Sequence, residues 1–159
     1  MRDFLIFIPV TVLYLVLKST IFISIPIPDL PLIIVLFIAY NRASVEGVVL
    51  GFIMGYLEDA FTGGIFGSTS FALMVVFITV YFLSKRVTFS TPFIRAVAAG
   101  LLTLLKGLLI YIVLRLTNFD APFLGSILIA AVVTGAFAPA IILLLGRVSG
   151  TADPHTLER

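Results

Sequence analysis

Apolar segments follow one another along almost the whole chain, from Phe4 to Leu145. The first, residues 4–25, is long enough to cross a bilayer, because a spanning helix needs about 20 apolar residues. It is too long for a signal-peptide core and is not followed by a small-residue cleavage site, so we expect it to be retained. Only 11% of the residues are charged, against about 25% in a soluble domain. The sequence therefore predicts an all-α integral membrane protein.

Residues that cap or break helices divide the apolar sequence into six segments. Asp29 and Ser44 are suitable N-caps for the second and third segments, and Gly63-Gly64 should end the third. Pro92 suits the first turn of the fifth. Segments two, three and four are shorter than a full crossing, and the short second and third segments predict a hairpin that is thin or shielded by its neighbours. The six predicted helices are residues 4–24, 30–40, 45–61, 68–83, 93–116 and 123–145.

The positions of Lys and Arg decide between six helices and a rival arrangement in which segments two and three fuse. With six helices and a cytoplasmic N-terminus, only Arg115 falls in an outer loop, which is a strong positive-inside bias. We therefore predict a six-helix bundle over residues 1–148 with both termini in the cytoplasm, and a polar cytoplasmic tail, residues 149–159. The basic residues on the predicted cytoplasmic side are Arg2, Arg42, Lys85, Arg86, Arg95, Arg147 and Arg159.

A glycine stripe marks the third segment, whose residues 47–59 read GVVLGFIMGYLED. A four-residue spacing keeps the glycines close together on one helix face, and in lipid such a face lets another helix approach closely. An acidic, glycine-rich turn follows, which is either a partner surface or a solvated helix end. Similar small-residue stripes occur on the fifth and sixth segments. The predicted partner-contact or packing residues are Gly47, Gly51, Gly55, Glu58, Asp59, Gly63 and Gly64.

Lys106 lies near the middle of the fifth segment, where an ionisable group costs about 2.5–3.5 kcal/mol on insertion scales. It is expected to be a buried charge that pairs with a carboxylate and so orients helices three and five. The alternative is that it binds an anionic head group. Lys18 lies nearer a helix end, and its long side chain should reach toward the outer surface.

The remaining composition excludes several classes of function. The chain has no cysteine, and its single His155 lies in the polar tail without partner ligands, so no metal site is expected. An excess of two positive charges is too small to suggest nucleic-acid binding. No nucleophile with a base, metal cluster or nucleotide loop can be recognised. We predict neither an enzyme nor a cofactor.

Residues 26–83 resemble the rod shape-determining protein MreD family, through Pro28-Asp29-Leu30 and a G-F-x-x-G-x-x-E-D motif with a glycine-rich turn. The resemblance implies a subunit of the machinery that builds the lateral cell wall, in the bacterial inner membrane. It also implies a fold similar to the substrate-binding S-components of energy-coupling-factor transporters. The partners that it implies are MreC, MreB, RodA and a class B penicillin-binding protein. The matching residues are Gly51, Phe52, Gly55, Glu58, Asp59, Gly63, Gly64 and Gly67.

Two functional hypotheses follow from these features. In the first, the chain is a non-enzymatic scaffold whose glycine-faced third helix and acidic end dock the transmembrane helix of MreC or another copy of the chain. In the second, it is a membrane subunit that binds a vitamin or a lipid. A transporter or flippase acting alone is less well supported, because the sequence shows no inverted repeat.

Overall fold

A computed structural model describes residues 2–20, 27–41, 44–63, 65–86, 91–117 and 124–148. Within these residues the regular secondary structure consists of six α-helices and no strand, which confirms the predicted all-α class and helix number. The helices are α1 (Arg2–Thr20), α2 (Leu30–Asn41), α3 (Val45–Thr62), α4 (Ser68–Ser84), α5 (Pro92–Leu116) and α6 (Leu124–Val148).

The helix ends follow the predicted capping residues. The Leu32 backbone N–H donates to Asp29 Oδ1 at 3.3 Å at the start of α2, and Gly47 N–H donates to Ser44 Oγ at 3.3 Å at the start of α3. Gly63 ends α3 in the left-handed conformation, with φ of 67°, which glycine adopts without strain. The predicted end of the first helix and Gly64 lie outside the described residues.

Helix α2 forms the centre of the bundle. It approaches each of the other five helices, and residues 31–39 are all buried. A helix that is apolar on every side is buried on every side, and this one contains only 12 residues, about 18 Å. Phe7 of α1 and Phe77 of α4 complete the core around it.

The outer helices surround α2 in the order α1, α3, α4, α5, α6, each packed on the next. The predicted small-residue stripes of α5 and α6 pack against each other. A Cβ atom at Gly135 would lie 3.0 Å from the Ala96 carbonyl oxygen and 3.5 Å from the Gly100 Cα atom. The backbones of these two helices are therefore in direct contact, as small residues permit in lipid.

The outward faces of the bundle are apolar. Large hydrophobic side chains are exposed on α1 and on α3 to α6. By length and composition, two helices within the described residues could cross a membrane, residues 92–116 and 125–147. Four basic residues lie where α4 ends, α5 begins and α6 ends, which we call the basic end: Lys85, Arg86, Arg95 and Arg147.

Candidate functional site

Four ionisable side chains from different parts of the chain meet inside the bundle. Lys106 Nζ donates to Asp29 Oδ2 at 2.6 Å and to Glu58 Oε2 at 2.7 Å. Lys18 Nζ lies 3.4 Å from the other oxygen of the same carboxylate, Glu58 Oε1. We call these four residues the charge cluster, and the end of the bundle nearer to it the cluster end.

Burial separates one member of the charge cluster from the other three. The exposed fraction of the side chain is 5% for Lys106, 8% for Glu58 and 13% for Asp29, but 32% for Lys18. Two ammonium groups and two carboxylates give the cluster no net charge, which is the condition under which buried charges are tolerated. The shorter distances also belong to Lys106, so its two ion pairs are the central part of the cluster.

Helix geometry explains how residues so distant in sequence meet. Helix α3 starts at Val45 and α5 starts at Pro92. Glu58 and Lys106 are equally far, to within one residue, from the starts of their helices. At 1.5 Å per residue both stand about 20 Å from the basic end. The described backbones of α3 and α5 do not approach each other closely, so the side chains of Glu58 and Lys106 bridge between helices that are not packed together.

Hydrogen bonds hold the entry to α2 beside the charge cluster. The Asp29 backbone N–H donates to Thr134 Oγ1 of α6 at 3.0 Å, and the Tyr14 hydroxyl of α1 donates to the Pro28 carbonyl oxygen at 2.7 Å. The cluster and its supports therefore connect α1, α2, α3, α5 and α6. Within the described residues no buried side-chain nitrogen or oxygen lacks a partner.

Asp59, the neighbour of Glu58, binds the N-terminus of α4 and is not part of the charge cluster. It accepts hydrogen bonds from the Gly67 backbone N–H at 2.8 Å, from the Thr69 N–H at 3.1 Å and from the Ser68 hydroxyl at 3.2 Å. These are the first groups of α4, whose own N-cap residue, Gly67, has no side chain to cap them. A carboxylate of α3 thus caps α4, and its charge suits the positive end of the helix dipole.

The family model for rod shape-determining protein MreD matches residues 3–148 of the 159. The chain belongs to the MreD family. It is therefore a member of a family of rod shape-determining membrane proteins, which function with other components of the rod-shape complex and are not a known family of enzymes. No curated protein and no solved structure matches the chain. The expected similarity to energy-coupling-factor S-components stays a prediction.

The glycine stripe of α3, formed by Gly47, Gly51 and Gly55, is buried inside the chain. A Cβ atom at Gly55 would collide with the backbone of Ser70 in α4, and one at Gly47 would lie 2.8 Å from Ile38 Cγ2 of α2. One at Gly51 would lie 3.3 Å from Val35 Cγ2. The glycine face of α3 is thus covered by α2 and α4 of the same molecule. It serves packing within this fold, and a partner helix would have to contact α3 on another face.

The sequence identified only part of the site. The residue of helix three that pairs with Lys106 is Glu58. Asp29 was recognised only as an N-cap, although its second oxygen binds Lys106, and Lys18 turns to Glu58 instead of reaching only toward the surface. The signal available in the sequence was position along the helices, because Asp29 lies 12 residues before the end of α2 and Lys106 lies 14 residues after the start of α5. Thr134 gave no signal of its own.

The charge cluster links helices through ion pairs between their side chains. Both oxygens of Glu58 are occupied by lysine ammonium groups, and the oxygens of Asp29 accept from Lys106 and from the first turn of α2. Each carboxylate therefore joins two or more helices. Ion pairs of this kind specify which helix faces meet, because a misplaced helix would leave a charge buried without a partner.

Proposed function

We propose that this MreD family member is a non-enzymatic scaffold subunit of the bacterial cell-wall elongation complex. In this role it controls cell shape and lateral peptidoglycan synthesis by helix–helix docking with MreC. The single observation that carries the proposal is the charge cluster, in which two lysines and two carboxylates bind one another across four helix segments. Polar groups used in this way stabilise a rigid body whose outward faces are apolar and suited to helix contacts.

The proposed setting is the inner membrane, crossed six times with both termini in the cytoplasm. The basic end supports this orientation, because Lys and Arg are enriched on the cytoplasmic side of membrane proteins. The tail, residues 149–159, would then be cytoplasmic as well. MreB would meet the basic end from the cytoplasm, whereas RodA and a class B penicillin-binding protein would be neighbours in the membrane.

The proposed docking surface for MreC is the exposed face of α3, opposite the glycine face. Val45, Val49, Phe52 and Tyr56 recur at intervals of four, three and four residues, and all four are exposed. Such spacing places them on one side of a helix. Aromatic residues are enriched in protein interfaces, and the ring of Tyr56 also packs against that of Phe66, with centroids 5.5 Å apart and planes inclined by 37°. The transmembrane helix of MreC is the proposed occupant.

Site-specific photo-crosslinking in intact cells tests this docking. A photoreactive amino acid at Phe52 or Tyr56 is expected to yield a covalent product with MreC. Leu108 of α5 and Leu128 of α6 are matched controls, since they are similarly exposed on another side of the bundle. Crosslinks to MreC only from the control positions would show that MreC docks on another surface. No crosslink to MreC from any position would contradict docking itself.

The purified protein also tests the alternative function suggested by the sequence. A scaffold should show no stoichiometric small molecule by native mass spectrometry. A vitamin bound at one copy per chain would instead favour a substrate-binding membrane subunit.

A further inference from the structure

The two sides of the bundle rise to different heights beyond the charge cluster. The ion pair between Glu58 and Lys106 fixes these residues at one level. Beyond that level α3 continues for four residues to Thr62, whereas α5 continues for ten residues to Leu116. At 1.5 Å per residue these extensions are about 6 Å and about 15 Å. The α5 side is therefore about 9 Å taller at the cluster end.

Helix α6 shares the greater height of α5. Thr134, which binds the Asp29 backbone beside the charge cluster, lies ten residues after Leu124 at the start of α6. No residue of α5 beyond Lys106 is buried, and the same holds for the described side chains of α6 before Ala131. The upper part of this helix pair thus lies outside the buried core of the described residues.

The two sides also differ in what they expose above the charge cluster. The tall side exposes Leu108 and Ile112 of α5 and Leu128 of α6 above the charge cluster. On the shorter side, just above the level of the charge cluster, α3 ends in the exposed turn that contains Thr62 and Gly63. Exposed backbone of this kind cannot lie in hydrocarbon, and exposed leucine and isoleucine are unfavourable in water. A flat bilayer surface cannot satisfy both sides.

A tilt of the whole molecule cannot remove the difference. The starts of α3 and α5, at Val45 and Pro92, are equally far from Glu58 and Lys106 to within one position, so both helices reach the same level at the basic end. A tilt that brings the cluster ends of α3 and α5 to one level would push the start of α5 beyond the start of α3 at the basic end by the same amount. The difference in height would then appear at the basic end instead. The mismatch belongs to one end of the molecule only.

We propose that the bilayer leaflet at the cluster end is thinner beside α3 and α4 than beside α5 and α6. The occupant of the α3 and α4 face at this end is phospholipid with shortened or disordered acyl chains, because a bilayer can thin locally around a short apolar span. The thinned margin favours neighbouring helices with short apolar segments. The inference goes beyond the scaffold role and concerns the chain alone, so it holds or fails without MreC.

Depth measurements with spin labels test the proposal, and the absence of native cysteine makes single-cysteine variants direct. Phe61→Cys and Leu108→Cys form a matched pair, because both residues are exposed and lie equally far from the start of their helices. Val45→Cys and Phe93→Cys probe the basic end. Each full-length variant is labelled and reconstituted in phosphatidylcholine vesicles, and depth is read from collision with oxygen and with a water-soluble nickel complex.

Phe61 lies one residue before the end of α3 and Leu108 eight residues before the end of α5, so the label at position 61 is expected to lie about 10 Å closer to water than the label at position 108. The two labels at the basic end should agree within about 2 Å, since α3 and α5 begin within about one residue of the same level. Equal depths at positions 61 and 108 would overturn the proposal, and so would an opposite displacement of similar size at the basic end. Phe66→Cys, in the same exposed turn, replaces Phe61→Cys if that variant does not fold.

Discussion

Replacing Lys106 by methionine tests whether the charge cluster stabilises the fold. The variant keeps most of the side-chain volume but removes the ammonium group that Asp29 and Glu58 bind at 2.6 and 2.7 Å. Both carboxylates are at most 13% exposed, so the relevant magnitude is that of a broken buried pair. We expect Lys106→Met to lower the free energy of unfolding by about 3–5 kcal/mol.

Lys18→Met is the matched control for this substitution. Lys18 contacts the same carboxylate, but at 3.4 Å and with 32% of its side chain exposed, so its ion pair resembles one at a surface. Its loss should cost about 0.2–1 kcal/mol. Both variants can be compared by reversible SDS titration in mixed micelles, with helix content followed by far-ultraviolet circular dichroism.

A double variant separates the charge effect from a general loss of packing. In Lys106→Met/Glu58→Gln, the charges of the remaining Lys18 and Asp29 sum to zero. The double variant should therefore lose less free energy of unfolding than the two single variants lose in sum. A coupling of about 0.5–3 kcal/mol is expected for residues in contact. Additive losses, or a Lys106→Met variant no less stable than Lys18→Met, would refute the reasoning.

Two further predictions concern the family motif. Gly55→Ala should destabilise the protein by about 1–3 kcal/mol, because the new methyl group collides with the Ser70 backbone, whereas Gly51→Ala meets only a side-chain methyl group at 3.3 Å and should cost less. The same SDS titration ranks the two, and an equal loss would contradict the packing. Asp59→Ala should cost about 0.5–2 kcal/mol by removing the cap of α4. Hydrogen exchange of the Thr69 amide should accelerate, and unchanged protection there would argue against capping.

The helix boundaries could be predicted because their signals are local. A capping side chain or a proline acts within one turn of the residue that carries it, as Asp29, Ser44 and Pro92 do here. The six predicted helices accordingly agree with the structure to within a few residues over the described part of the chain.

The arrangement of the helices could not be predicted in the same way. In a soluble protein the apolar stripe of a helix shows which face points inward, but these helices are apolar on nearly every side. Nothing in the sequence of α2 distinguishes a helix buried on all sides from α6, which exposes Leu128 and Val132. Lipid and protein interior are equally apolar environments, so hydrophobicity alone does not separate them.

The glycine stripe illustrates the same limit at the candidate site. Its spacing predicts a close approach of another helix, but does not indicate whether that helix belongs to the same chain. Gly55 against Ser70 shows an internal contact. The distinction depends on which helices surround α2, and that order is a property of the whole bundle.

The charge cluster supplies the specificity that apolar faces lack. Two helices that slide past each other by one turn, about 5.4 Å, keep most of their apolar contacts in lipid, but contacts of 2.6–2.7 Å at Lys106 would be lost. Because the described backbones of α3 and α5 are not packed together, the pair Glu58–Lys106 adds a direct link between two helices that otherwise meet through α2 and α4. Asp59, one residue later, then fixes where α4 begins. The adjacent acidic residues of the motif therefore determine the depth of one helix and the start of the next.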